Sequence, residues 1–198
     1  MDRRSLESTA TSYPSLRGLA AIPIGAVFVL LWPTNEEWGP VSQRYIWIAI
    51  LVAALAFLRI NRYYDETFGR VTLPRRVKVR TSVVSLGGAA VLLGGAALEW
   101  SFDLPLNCTA ASFAIAMLAI YAVNVGLSAH HVIIWGSILV ASLLPVWGGV
   151  GADAKFGGAF LLMGVATTMA AGVLDHRALT QTFGRAAGLD LENGNARA

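Results

Sequence analysis

The side chains best suited to acid/base or metal chemistry near neutral pH are three histidines: the adjacent pair His130 and His131, and His176, which follows Asp175. Imidazole beside carboxylate is the combination that binds transition metals or relays protons. The spacing carries no HExxH or CxxC signature, and neighbours on a helix point in different directions. His130, His131 and His176 therefore stand as candidate metal ligands, with no metal, cofactor or catalytic residue assigned, and Asp175 is expected to end its helix in water. In Gly126-Leu127-Ser128-Ala129-His130-His131 a hydroxyl lies close to imidazole in sequence. A nucleophile needs its base within hydrogen-bond reach, which adjacency does not supply, so no hydrolase is read from it. Lys78 and Lys155 fall in expected loops, leaving no lysine within the helices for a Schiff base. The single cysteine, Cys108, excludes an intrachain disulfide.

The elements that carry these residues follow from composition. The 198-residue chain is 56% hydrophobic and only 14% charged, with a mean hydropathy of +0.60. Soluble domains carry roughly 25% charged residues, so an ordinary soluble enzyme is excluded. A bilayer core about 30 Å thick needs roughly 20 apolar residues in a helix. Six runs approach that length, at about residues 16–32, 45–60, 82–98, 108–128, 132–149 and 157–174. The expectation is an all-α, polytopic integral membrane protein: a six-helix transmembrane domain over residues 1–187 and a flexible cytoplasmic tail over 188–198. Pro23 falls inside the first run, and Arg17 at its start must snorkel to the headgroups. The sequence Trp32-Pro33-Thr34-Asn35 lacks the small-residue site of a cleaved signal peptide, so this helix is expected to be retained.

Orientation follows from the basic residues, which short cytoplasmic loops retain. With six spans and the N-terminus inside, all Lys and Arg except Arg44 and Lys155 lie inside. Trp32, Trp38, Trp47, Trp100 and Trp147 then cluster near the outer ends, as an interfacial belt does. Both termini are expected in the cytoplasm of a cell with an inner membrane. The positive balance then needs no nucleic acid to explain it.

Helices in lipid associate through small residues and a few polar contacts. Gly87-Gly88 recurs seven residues on as Gly94-Gly95, and Gly164, Thr168 and Gly172 fall at i, i+4 and i+8. Both patterns place a small-residue stripe on one helix face, so the third and sixth spans are expected to be central. Asn124 is the candidate interior polar contact, since its amide needs a partner outside its own helix.

The most distinctive segment is residues 59–81, RINRYYDETFGRVTLPRRVKVRT, where arginines surround Tyr63, Tyr64 and Phe68. Thr67-Phe68-Gly69-Arg70 recurs as Thr182-Phe183-Gly184-Arg185, which suggests a parallel duplication of the first and last span pairs. The expected surface for a partner protein or anionic lipid comprises Arg62, Tyr63, Tyr64, Phe68, Arg70, Arg75, Arg76, Lys78, Arg80, Phe183 and Arg185. Arginine and aromatic side chains are favoured interface anchors, and basic residues attract anionic headgroups. A homo-oligomer is compatible with this reading.

Ser15-Leu16-Arg17-Gly18-Leu19-Ala20-Ala21 resembles the opening of membrane acyltransferases that modify sugars. That family has a histidine near the end of this helix, where Phe28 and its neighbours are apolar here, so the resemblance implies no activity. Size and six-span layout are similar to the substrate-binding subunits of vitamin importers, an architectural likeness alone. The functional expectation is a non-catalytic membrane component that docks a partner subunit or anionic lipid. The alternatives are a small-solute carrier, with Asn124, Trp47 and Trp147 lining its pocket, and then a membrane enzyme acting on lipid or quinone through His130, His131, Asp175 or His176.

Overall fold

The structure, a computed structural model, describes residues 17–35, 43–67, 74–124 and 126–181. Among them are six α-helices and no strand: α1 (Ala21–Asn35), α2 (Gln43–Thr67), α3 (Arg75–Ser101), α4 (Cys108–Asn124), α5 (Ala129–Leu143) and α6 (Ala152–Gln181). Local chemistry sets several of the boundaries. A short 3₁₀ turn, Gly18–Ala20, leads into α1. Pro23 thus becomes the third residue of its helix, where the missing N–H has no helical acceptor to lose. Pro74 precedes α3. The Asn107 side chain caps α4 by accepting the Ala110 N–H at 2.9 Å. Ser128 caps α5 in a capping box with His131. Pro145 follows the end of α5 and opens a second 3₁₀ turn, Pro145–Trp147, so α5 stops at Leu143, short of the expected 149.

The helices run up and down. Arg17, before α1, reaches Asp65 at the end of α2, and Thr81 on α3 meets Asn124 at the end of α4. At the opposite end, the α3–α4 link meets the end of α5 and the start of α6 through Asn107, Ser142 and Lys155. The "near end" below is where α1, α3 and α5 begin, and the "far end" is the other.

The core is built by Ala110, Phe113, Ala114 and Tyr121 of α4, Trp135 and Ile138 of α5, and Ala159, Met163, Ala166, Ala170 and Ala171 of α6, with Phe28 of α1 against it. Helix α6 is therefore central, and small residues bring α1 onto it. A methyl group on Gly25 would strike Thr168 and the Gly164 carbonyl, and one on Gly164 would strike Val29 and the Gly25 carbonyl. The expectation that the third span is also central is corrected: α3 packs on α4 at the edge of the bundle. Its doubled glycines split by face. Gly95 lies directly against Cys108 and Ser112, while Gly87 and Gly94 have open space beside them.

Helix α2 stands furthest out. Its apolar window buries no residue, and Trp47, Leu51, Val52, Leu55 and Leu58 are all exposed. Helices α2, α3 and α6 are long and apolar enough to cross a membrane, whereas Gly18–Leu31, α4 and α5 are shorter apolar helices. At about 1.5 Å per residue, the 15 residues of α5 reach only about 22 Å.

Candidate functional site

Asp175 organises the near end. It follows a π-helical stretch of α6, Thr167–Leu174; such wide turns shift side-chain register and often occur at functional sites. Its side chain is fully buried and almost fully engaged. Oδ2 accepts the Tyr121 hydroxyl at 2.7 Å, and Oδ1 lies 2.8 Å from His131 Nε2 and 3.1 Å from His130 Nε2. The expectation that Asp175 meets water is thus corrected, because α4 and α5 close over the near end of α6. One hydroxyl touches both imidazoles: Ser128 Oγ is 2.7 Å from His131 Nδ1, and 3.0 Å from Nδ1 and 3.3 Å from Nε2 of His130. The Ser128 N–H points at His131 Nδ1 at 3.4 Å, which suits a neutral His131 carrying its proton on Nε2 and donating it to Asp175. The Tyr121 ring stacks on His131 with centroids 3.7 Å apart.

Two chemistries are open to this arrangement. His130, His131 and Asp175 present three metal-ligating atoms within 4.8 Å of one another. Ser128, His131 and Asp175 also form a hydroxyl–imidazole–carboxylate chain, the connectivity of a nucleophilic triad. The hydrogen-bond reach that sequence adjacency could not promise is therefore present. Sequence reasoning missed Tyr121 and set Ser128 aside; the further signal for Ser128 was an N-cap residue three before an imidazole.

His176 does not join this centre. Its Nδ1 lies 2.8 Å from the hydroxyl of Tyr64, which also accepts the Leu19 N–H at 3.1 Å. Arg17 pairs with Asp65 at 2.7 Å and lies over the Tyr64 ring. The snorkelling expected of Arg17 is replaced by an ion pair that ties the start of α1 to α2. Tyr64 is fully buried, which removes it from any docking surface.

The remaining surface residues are placed as follows. Arg62 is exposed and pairs with Glu66, Tyr63 is exposed, and Arg75, Arg76, Lys78 and Arg80 lie exposed on the first two turns of α3. Phe68, Arg70, Phe183, Arg185, Trp38 and the tail over 188–198 lie outside the described residues, so the repeated Thr-Phe-Gly-Arg does too. Asn124 Oδ1 accepts the Thr81 hydroxyl at 3.2 Å, joining α3 to α4. It sits at the near end, while Trp47 and Trp147 are toward the far end, so the three residues expected to line a carrier pocket do not share one.

The far end holds a second polar group that sequence reasoning placed in loops. Lys155 lies on the first turn of α6, buried, and donates to Asp103 at 3.0 Å and to the Leu104 carbonyl at 2.6 Å. Asn107 donates to the Lys155 carbonyl at 2.9 Å. Glu99, buried at the end of α3, accepts the Thr109 N–H at 2.8 Å, placing its carboxylate at the positive N-terminus of α4. The available signal was that Glu99, Asp103 and Lys155 are isolated charges beside apolar runs.

No family model matches this chain, and neither a curated protein nor a solved structure matches it.

Proposed function

We propose that this chain is a six-span integral membrane protein with both termini cytoplasmic, acting as a non-catalytic membrane component whose near end holds anionic lipid headgroups. The observation that carries the reading is how the surface is sorted. Every described, exposed Lys or Arg lies at the near end: Arg59, Arg62, Arg75, Arg76, Lys78, Arg80 and Arg177. The described, exposed charges at the far end are Asp103 and Asp153. Between the ends, large apolar side chains of α2 and α3 face outward, and at the two ends Asp175, His131, Lys155 and Glu99 are buried. Water would penalise so much exposed apolar surface, and a bilayer would not.

Lipid is favoured over a protein partner for the basic end because the aromatic part of the expected docking surface is depleted: Tyr64 is turned inward and bonded to His176. Basic residues near an anionic surface contribute about 1 kcal/mol each. The test is native mass spectrometry from nanodiscs containing anionic and neutral lipid. Wild-type protein should retain anionic lipid, and the combined Arg75→Gln, Arg76→Gln, Lys78→Gln and Arg80→Gln variant should lose most of it. Equal retention by both would overturn the lipid assignment, and a stoichiometric protein partner released by the same substitutions would replace it with docking.

A further inference from the structure

We infer that His130 Nε2, His131 Nε2 and Asp175 Oδ1 form a binding site for one first-row divalent metal ion of the zinc class. The argument begins with convergence. Two imidazoles from the first turn of α5 aim the same ring atom at the same carboxylate oxygen on α6, at 3.1 and 2.8 Å. Ligands around tetrahedral zinc, with bonds of about 2.1 Å, lie roughly 3.4 Å apart. To admit the ion, the 3.1 and 2.8 Å separations would open by about 0.3 and 0.6 Å.

The surroundings match what metal-bound ligands require. A coordinating histidine uses one nitrogen for the metal and fixes the other through a hydrogen bond. Ser128 Oγ stands 2.7 Å from His131 Nδ1, able to accept from it once the Nε2 proton has left and the Ser128 N–H has turned away; against His130 it lies 3.0 Å from Nδ1 and 3.3 Å from Nε2. The ligating carboxylate is itself held, by the Tyr121 hydroxyl on its other oxygen. Charge points the same way: among the described residues no lysine or arginine pairs with Asp175, whose partners are the two histidines. A buried carboxylate of this kind is stabilised by a cation.

The rival chemistry, nucleophilic attack by Ser128, uses the cluster less completely. It gives one hydroxyl two imidazoles and sets that hydroxyl in the cap of α5, whereas a metal employs both histidines. Three protein ligands leave one coordination position of a tetrahedral ion open for water.

The experiment uses the full chain in nanodiscs, stripped with chelator and titrated with Co²⁺ and then Zn²⁺. Wild-type protein should take up one Co²⁺ per chain with visible ligand-field absorption, and Zn²⁺ should abolish that signal. His130→Ala, at a partly exposed position, should lose stoichiometric binding, and Ser128→Ala should bind about 10- to 100-fold more weakly. His176→Gln should bind as wild type does. Failure of the wild-type protein to bind either ion would overturn the proposal, as would unchanged affinity in both His130→Ala and Asp175→Asn. Covalent capture of Ser128 by a fluorophosphonate in a wild-type protein that takes up no metal would overturn it in favour of acyl transfer.

Discussion

The two ends of the bundle each bury a charged side chain of α6, but they neutralise it differently. At the far end Lys155 donates to Asp103, whose side chain is 76% exposed, and to a backbone carbonyl. The carboxylate is wet and the carbonyl is fixed, so the group works as a clasp between α6 and the α3–α4 link. At the near end Asp175 is wholly enclosed, and its partners are two imidazole nitrogens and a phenol. A buried charge held by backbone and solvent-facing groups locks a structure. One held by titratable side chains keeps chemistry available.

Substitutions separate these roles, and the largest effect belongs to Asp175. Asp175→Ala strands the Tyr121 hydroxyl and the His131 imidazole without an acceptor. It should cost about 2–5 kcal/mol, the sum for two buried donors left unsatisfied, measured as unfolding free energy in detergent. A cost below 1 kcal/mol would show that the near end is not held as described. Helix contacts come next. Gly95→Val, against Cys108 and Ser112, should cost about 1–3 kcal/mol through overpacking. Gly94→Val, beside open space, should stay within about 0.5 kcal/mol; equal effects would refute the edge position of α3.

Lys155→Met is expected to fall below Asp175→Ala, at about 1–3 kcal/mol, because it leaves one buried carbonyl unsatisfied rather than two buried donors. A larger loss than that of Asp175→Ala would invert the comparison. Tyr64→Phe should have the smallest effect, about 1 kcal/mol, through loss of the hydroxyl joining α1, α2 and α6. It is read from the same melts, and no change would mean that this contact contributes nothing.

The all-helical class was legible in the charge-free runs, whereas the cap and breaker residues Asn107, Ser128 and Pro145 went unread, so the fifth run was carried past Pro145 to 149. Which helices are central was not legible either. The doubled glycines of α3 look like a packing stripe, but only the Gly88 and Gly95 face meets a neighbour. The convergence on Asp175 was hidden for a similar reason. Adjacent histidines diverge in mid-helix, but His130 and His131 sit in the first turn, where side chains can fold back over the cap. Their shared partner is more than 40 residues away, on another helix. Lys155 read as a loop residue because its charge interrupts an apolar run; burial became tolerable only once Asp103 and Leu104 were brought to it.

The charge-sorted bundle is tested most directly by where its two ends lie in a living cell. Single cysteines at Arg76 and Arg177 of the near end, and at Asp153 of the far end, in a Cys108→Ser background, can be challenged with a membrane-impermeant maleimide. Asp153→Cys should react in intact cells, and Arg76→Cys and Arg177→Cys only after permeabilisation. Labelling of Arg76→Cys from outside, or release of the chain from membranes by alkaline carbonate, would contradict a six-span protein with its basic end in the cytoplasm.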